Sequence, residues 1–517
     1  MSSAASQVLP VRTVGIVGAG AMGRGIAQVA AQAGATVLLY DVQEAAAGAA
    51  REAVIGQLAK LRDKGRLTGQ MFDAAAARLQ PVTALEAMTG CDLVIEAIVE
   101  RLDAKRDLFR RLEAIVAPDC ILATNTSSLS VTAIAAATAR PERVAGFHFF
   151  NPVPLMKVVE VVAGALTAVN VTAALAAFAR AFGHRPVLAG DTPGFIVNHA
   201  GRGYGTEALR ILQERVAGVA EIDTVLREAC GFRLGPFQLL DLTGLDVSHP
   251  VMETIYRQYY EEPRYRPSVI TAQRLEAGLL GRKSGRGFYD YGAEPASAPP
   301  MHGADAWSGP VWVAPAGASA AEDGDGTAAV RALLARCDAD VCAGDAPPDG
   351  ALCIVAPLGE DVSALAARLG LDPARTVGID TVPGCDRHLT LMRCPATGDT
   401  LARRAAALLA RSGQGVTLID DSAGFIAQRV LATIVNIGCD IVQQGICTPE
   451  DLDAAVELGL GYPHGPLAWG DALGPRRVLA ILENLLATTG DPRYRPSPWL
   501  RRRAQLGLPL RHARGAA

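Results

Sequence analysis

The chain predicts a mixed α/β protein: a Rossmann-type doubly wound parallel sheet over residues 1–189, an all-α domain over 190–291, a linker over 292–309, a degenerate α/β unit over 310–414 and a second all-α domain over 415–517. Three observations lead there. A short apolar strand, Thr13 to Val17, runs into Gly18-Ala19-Gly20-Ala21-Met22-Gly23 and then an Ala-rich helical pattern at 24–33, the strand, glycine turn and helix that open such a sheet. Short β-rich runs then alternate with helical ones, the rhythm of parallel strands joined by helical crossovers. Lastly, Asp191-Thr192-Pro193-Gly194-Phe195-Ile196 recurs as Asp421-Ser422-Ala423-Gly424-Phe425-Ile426, and Gly235-Pro236 with Asp241 recurs as Gly465-Pro466 with Asp471, both at an offset of 230. The helical part is therefore present twice.

Each element has a local cause. Gly18 permits the tight turn, Gly20 lets backbone approach a pyrophosphate and Gly23 allows close helix packing, while the helix N-terminus offers unpaired N–H groups. With Met22 inside the same turn, these residues form the first candidate cofactor contact. The next strand, Thr36 to Tyr40, ends in Asp41. A carboxylate there bonds ribose hydroxyls and repels a 2'-phosphate, so NAD is expected rather than NADP. Helical patterns at 43–65 and 101–117 separate further strands at Asp92–Ala97 and Cys120–Thr124. The charged stretch Lys60-Leu61-Arg62-Asp63-Lys64-Gly65-Arg66 reads either as a solvated helix face or as a basic arm for a second anionic ligand. Gln57 and Lys64, seven apart, lie two turns along one side of a helix.

Composition excludes several classes. Hydrophobic residues make up 50% of the 517, largely Ala and Val, and no run approaches the ~20 uncharged apolar residues of a membrane span. A net charge of -4 argues against nucleic acid or an anionic membrane as partner. Ten cysteines lie between Cys91 and Cys447 without a C-x-x-C pair or a His at zinc spacing, so neither a disulfide framework nor a metal site is expected. Met1 to Pro10 reads as neither a secretory signal nor a transit peptide, which makes a soluble, cytoplasmic protein the expectation. Of 49 Lys plus Arg, five are Lys (Lys60, Lys64, Lys105, Lys157 and Lys283). In so Arg-rich a chain, a retained Lys hints at a need for a compact ammonium.

Past Thr124, Asn125-Thr126-Ser127-Ser128-Leu129 stands at the carboxyl edge where open sheets bind ligands, although such a run alone reads as a helix cap. His148-Phe149-Phe150-Asn151-Pro152-Val153-Pro154-Leu155-Met156-Lys157-Val158-Val159-Glu160 then sets an imidazole and a carboxylate at neighbouring strand ends. A lone His is more often a satisfied core residue. Beside the hydroxyls of 126–128, Asn151 and Glu160, it reads as a base with its orienting carboxylate.

These segments, with V-I-E-A-I-V-E (94–100), D-T-P-G-F-I-V-N (191–198), G-P-F-Q-L-L-D (235–241) and G-R-K-S-G-R-G-F-Y (281–289), resemble the 3-hydroxyacyl-CoA dehydrogenase family across residues 12–291. The resemblance implies oxidation of a (3S)-3-hydroxyacyl-CoA to the 3-ketoacyl-CoA, with hydride passing to NAD. It implies His148 as general base, Glu160 as its orienter, and Ser127 and Asn198 as groups that hold the reacting oxygen or the thioester carbonyl. It carries cofactor contacts to Asp41, Glu100, Lys105, Ser127, Asn151 and Lys283, and acyl-CoA contacts to Gln57, Lys64, Ser127 and Asn198. Three of the five lysines fall on these positions.

In the second half, Ala351–Ala356 and Thr376–Ile379 read as strands. Asp380 stands where His148 does, Gln428 replaces Asn198, and no K-V-V-E follows. The glycine fingerprint is absent unless Pro315–Ala320 is its remnant, so 310–414 is expected to be a nonbinding relic. The two-copy arrangement resembles longer family members of phenylacetate breakdown, which oxidise 3-hydroxyadipyl-CoA, and Arg202, Arg210 and Arg233 are candidates for meeting a second carboxylate. A 3-hydroxybutyryl-CoA dehydrogenase and a non-catalytic NAD-binding structural or regulatory protein stand as alternatives. Single-copy relatives dimerise through the helical domain. The resemblance therefore implies either a homo-oligomer or an internal pseudo-dimer of the two helical domains.

Overall fold

In the structure, a computed structural model that describes residues 11–292, 305–315 and 326–512, the glycine turn is set by its neighbours. Met1–Pro10, most of the predicted linker and residues 316–320 of the suggested fingerprint remnant lie outside the described residues. Two compact units emerge, one reaching to His199 and including Gln444–Leu460, the other Ala200–Gln443 with Gly461 onward. The segment Gln444–Leu460, predicted as part of the second helical domain, thus belongs to the first unit.

That first unit runs β1 (Thr13–Val17), α1 (Ala21–Gln32), β2 (Thr36–Tyr40), α2 (Ala46–Asp63), α3 (Gly69–Ala77), β3 (Leu79–Pro81), β4 (Leu93–Glu96), α4 (Leu102–Ile115), β5 (Ile121–Thr124), α5 (Val131–Ala135), β6 (Val144–Phe149), β7 (Val158–Ala163), α6 (Val169–Ala181), β8 (Arg185–Gly190) and α7 (Val197–Ala200). The strand order is β3-β2-β1-β4-β5-β6-β7-β8. Only β6 and β7 pair antiparallel. Every residue of β4, β5 and β6 is buried, as a parallel sheet covered on both faces requires. Strand order reverses between β1 and β4, and that crevice is where such sheets receive ligands.

Helix α2 is shorter than predicted. Lys64 caps it and Gly65 takes φ 68, with Arg66 N–H bonding the Leu61 carbonyl at 2.9 Å, a left-handed glycine stop that closes the helix before 65. Helix α7 starts only at Val197, because Gly194 (φ 77) and Phe195 (φ 49) are left-handed.

The second unit contains α8 (Arg202–Gln213), α9 (Val219–Thr224), α10 (Pro236–Thr243), α11 (Leu245–Gln258), α12 (Val269–Glu276), β9 (Val311–Val313), α13 (Gly326–Arg336), β10 (Leu352–Val355), α14 (Val362–Leu369), β11 (Thr376–Ile379), β12 (Leu389–Arg393), α15 (Asp399–Ala410), β13 (Val416–Asp420) and α16 (Ile426–Gln443). After α17 (Pro449–Leu460), which belongs to the first unit, come α18 (Pro466–Leu473), α19 (Pro475–Thr489) and α20 (Pro498–Leu506). Its sheet is ordered β13-β12-β11-β10-β9, with β11 and β12 antiparallel. That pair repeats β6–β7, so β9 stands in the place of β4. Among the described residues no strand corresponds to β1, β2 or β3, the half of the sheet that carries a glycine turn. Pro315, which opens the suggested remnant, therefore follows a strand in the wrong place for a dinucleotide fingerprint.

Helices α8 and α16 pack closely. A side chain at Gly203 would approach Ile437 Cδ1 to 3.2 Å. The buried Glu207 carboxylate beside them accepts from Arg429 Nε (2.8 Å), Tyr494 Oη (2.7 Å) and Arg493 Nη1 (3.3 Å), the multiple pairing that a fully buried charge needs. Among the described residues no helix is long and apolar enough to cross a membrane.

Candidate active site

Of the three glycines in the turn after β1, two are closely packed and one faces open space. Gly18 has φ 106 and donates to the Tyr40 carbonyl at 2.9 Å. A Cβ there would lie 2.4 Å from the Ala97 oxygen, and one on Gly23 would lie 1.8 Å from the Gly18 oxygen. At Gly20, which caps α1 without a side-chain partner, a Cβ would meet nothing within 4 Å. Open space therefore faces the unpaired N–H groups of the helix, the environment a pyrophosphate requires. Asp41, at the end of β2, accepts from Ala19 N (2.8 Å) and Gln43 N (2.9 Å), which ties its carboxylate to the turn itself. Met22 is half-buried against the sheet core. These residues fit NAD.

Beyond the turn, β4 and β5 end in a polar network. Lys105 is 1% exposed, with Nζ 2.5 Å from Glu96 Oε1 and 3.1 Å from Glu100 Oε2. Glu96, wholly buried, also accepts from Thr124 Oγ1 and Ile98 N, each at 2.7 Å. Glu100 Oε1 gathers Thr126 Oγ1 (2.6 Å), Ser127 N (2.9 Å) and Ser128 N (3.2 Å). Burial alone would raise the Glu100 carboxyl, but the Lys105 charge and these donors outweigh it and hold it below the usual carboxylate range. Ser127 is thereby fixed, and its carbonyl accepts from Asn198 Nδ2 at 3.3 Å.

The antiparallel register of β6 and β7 places His148 directly opposite Glu160. His148 Nδ1 lies 2.5 Å from Glu160 Oε2, with His148 5% exposed and Glu160 fully buried. The other carboxylate oxygen accepts Ile196 N and Val197 N, each at 2.9 Å, so both oxygens are held. The imidazole is walled by Phe150 and Phe195, with ring centroids 4.6 and 5.9 Å away. The arrangement can take up a proton on Nε2 while a carboxylate steadies Nδ1.

A cleft of about 830 Å3 opens between α1, α2 and the 151–157 loop. Gln57 and Asn151 line it, while Lys64, exposed at the helix cap, does not. Sequence reasoning missed its other cationic lining, Arg24, Arg66 and Lys157. Arg66 sits in the flagged basic stretch, and the glycine stop at 65 decides that it faces the cleft. Glu96 was also missed, although a carboxylate ending a buried strand inside V-I-E-A-I-V-E was a usable signal. Lys283 lies in the second unit, its Nζ 2.5 Å from Asp246 Oδ1. There too Arg210 is committed to Glu214 (2.6 Å) and Asp491 (2.8 Å), and Arg233 is exposed.

The second sheet repeats the geometry without the chemistry. Asp380 and Thr390 stand opposite each other across β11 and β12, as His148 and Glu160 do across β6 and β7. Gln428 Nε2 and Val382 N donate to Asp380 Oδ1, each at 3.0 Å. Burial pushes the Asp380 carboxyl up to about 6.

Residues 13–192 match the family model for the NAD-binding domain of 3-hydroxyacyl-CoA dehydrogenase, and 194–291 with 424–515 match the model for its C-terminal domain. The chain is 39% identical over 499 residues to 3-hydroxyadipyl-CoA dehydrogenase of Escherichia coli K12, covering 96% of this chain and 98% of that protein. It is 38% identical over 296 residues to human mitochondrial hydroxyacyl-coenzyme A dehydrogenase, covering 56% of this chain and 94% of that protein. A crystal structure of 3-hydroxybutyryl-CoA dehydrogenase from E. coli K12 superimposes with a TM-score of 0.84 at 39% identity, covering 96% of this chain and 99% of that one.

Proposed function

The chain belongs to the 3-hydroxyacyl-CoA dehydrogenase family of NAD-dependent enzymes, and from that premise we propose that His148 is its general base and 3-hydroxyadipyl-CoA its substrate. The observation that carries the first part is the buried His148–Glu160 pair. A carboxylate only accepts, so Nδ1 keeps its hydrogen and Nε2 is left with its lone pair toward the substrate hydroxyl. As the alcohol is oxidised, Nε2 takes the hydroxyl proton and Glu160 stabilises the imidazolium. NAD at the glycine turn supplies the hydride acceptor. Ser127 and Asn198 hold the substrate oxygens, and Arg24, Arg66 and Lys157 give the cleft the positive charge that a CoA phosphate needs.

For the acyl group, support comes from similarity to the E. coli enzyme of that name through both copies of the helical domain. The second reading, 3-hydroxybutyryl-CoA, is favoured by the name of the E. coli crystal structure. Steady-state turnover on the two thioesters separates them. A hydrogen bond to a charged group is worth about 1.5–3 kcal/mol, so a recognised second carboxylate should raise kcat/KM for 3-hydroxyadipyl-CoA about tenfold or more over 3-hydroxybutyryl-CoA. Equal or reversed values refute the adipyl assignment.

A further inference from the structure

The last strand of the first sheet, β8, has no strand neighbour on its outer side among the described residues. An edge left so would expose unpaired N–H groups. Instead Gly190 N donates to the Ile446 carbonyl at 2.8 Å and Leu188 N to Asp451 Oδ2 at 3.2 Å, while Arg185 Nη2 reaches Glu450 Oε1 and Asp451 Oδ1, each at 3.1 Å. The cover is the loop before α17 and α17 itself, elements of the second copy. The second sheet shows the reciprocal bond: Asp420 N, on edge strand β13, donates to the Val216 carbonyl of the first copy at 2.9 Å. Residues 190 and 420, and 216 and 446, are related by the same offset of 230, so the capping bond is reciprocal between the two copies.

On the first sheet this cap reaches the catalytic pair. A Cβ on Gly459, in the last turn of α17, would lie 3.0 and 3.2 Å from the two Val197 methyl carbons. Val197 N is one of the two donors that hold Glu160 Oε1. The Cys447 thiol, pushed up by burial and then by the charges of Asp451 and Glu160, marks the same closeness. At the corresponding position the first copy carries Ala229.

We propose that the Ile446–Leu460 segment of the second copy is a positioning element for the His148–Glu160 pair, acting through the 188–197 segment, with Gly459 and Asp451 as its working residues. This rests on the assignment of His148 and Glu160 as base and orienter. The second copy then has a task in catalysis although its own sheet lacks the dyad.

The test is Gly459→Ala in the full chain. Its φ is not left-handed and Ala is the better helix former, so the helix survives while the new methyl crowds the Val197 side chain by a few tenths of an ångström and, through it, the N–H that holds Glu160. Expected are a fall in kcat per NADH-binding site of about tenfold, as small misplacements of a catalytic pair produce, an unchanged KM, and an acid limb of the kcat/KM profile displaced to lower pH because the imidazolium has lost support. Asp451→Asn, which uncouples Arg185, should shift the profile the same way by less, and it decides the matter should Gly459→Ala not fold. Profiles that superimpose on the parent, with unchanged kcat per site, overturn the proposal. His148→Gln is measured alongside. If it keeps turnover, the dyad assignment falls and this proposal with it; if turnover is lost while both second-copy variants behave as parent, the positioning role alone is refuted.

Discussion

Replacing Glu160 by Gln keeps the shape of the side chain and changes one oxygen to an amide. Oε1 accepts Ile196 N and Val197 N at 2.9 Å, and these buried donors require an acceptor. The Gln carbonyl must stay there, which turns the NH2 group toward His148 Nδ1. Two donors cannot face each other at 2.5 Å, so Nδ1 becomes the acceptor and the ring hydrogen moves to Nε2, the nitrogen that should receive the substrate proton. The variant loses a charge-assisted bond worth about 1.5–3 kcal/mol and gains the wrong tautomer; in serine proteases the analogous change costs about 10⁴ in kcat. A loss of about 10³–10⁴ in kcat is expected, with NAD affinity within about twofold of the parent because no residue of the glycine turn is touched. NADH absorbance gives kcat, and fluorescence titration gives the affinity. A loss below about tenfold, or a parallel fall in NAD affinity, refutes the proton-relay reasoning.

Lys105→Met leaves the buried Glu96 carboxylate without its cation and should destabilise the fold by about 3–5 kcal/mol, of which Glu96→Gln in the same chain recovers a large part; chemical denaturation checks both, and additive losses would contradict a coupled pair. Asp380 titrates at about 6 in the folded chain against an ordinary 3.8, so the folded state binds the proton first and the parent loses stability as pH rises from about 4 through 6. Asp380→Asn removes that titration. Its advantage over the parent should grow across this window by about 3 kcal/mol, read as a widening difference in Tm, and a pH-independent difference would show that Asp380 ionises freely.

Local rules made the dinucleotide unit legible. The conformation of Gly18 and the steric demand at Gly23 involve near neighbours, so strand, turn and helix could be read from a dozen residues. His148 and Glu160 were legible as a pair because a strand, a short turn and a strand bring residues twelve apart into register. The glycine stop that leaves Lys64 outside the cleft and Arg66 on its wall depends on φ at Gly65, which a basic run does not encode. Least legible was the departure of Gln444–Leu460 from its own copy. Its partners lie some 260 residues away, at Arg185 and Leu188, and an amphipathic helix states that it has a partner without stating which.

The reciprocal capping bonds carry a consequence for how such a chain can change. In a dimer of identical subunits every substitution appears twice, and a residue that suits one side of the axis is imposed on the other. Joining the copies in one chain removes that constraint. Position 459 can stay glycine beside Val197 while its counterpart, Ala229, takes a methyl group, and the second sheet can do without counterparts of β1 to β3 among the described residues while the first keeps them. With one glycine turn of the dinucleotide-binding kind among the described residues, NADH titration of the whole protein should saturate at one equivalent per chain rather than two.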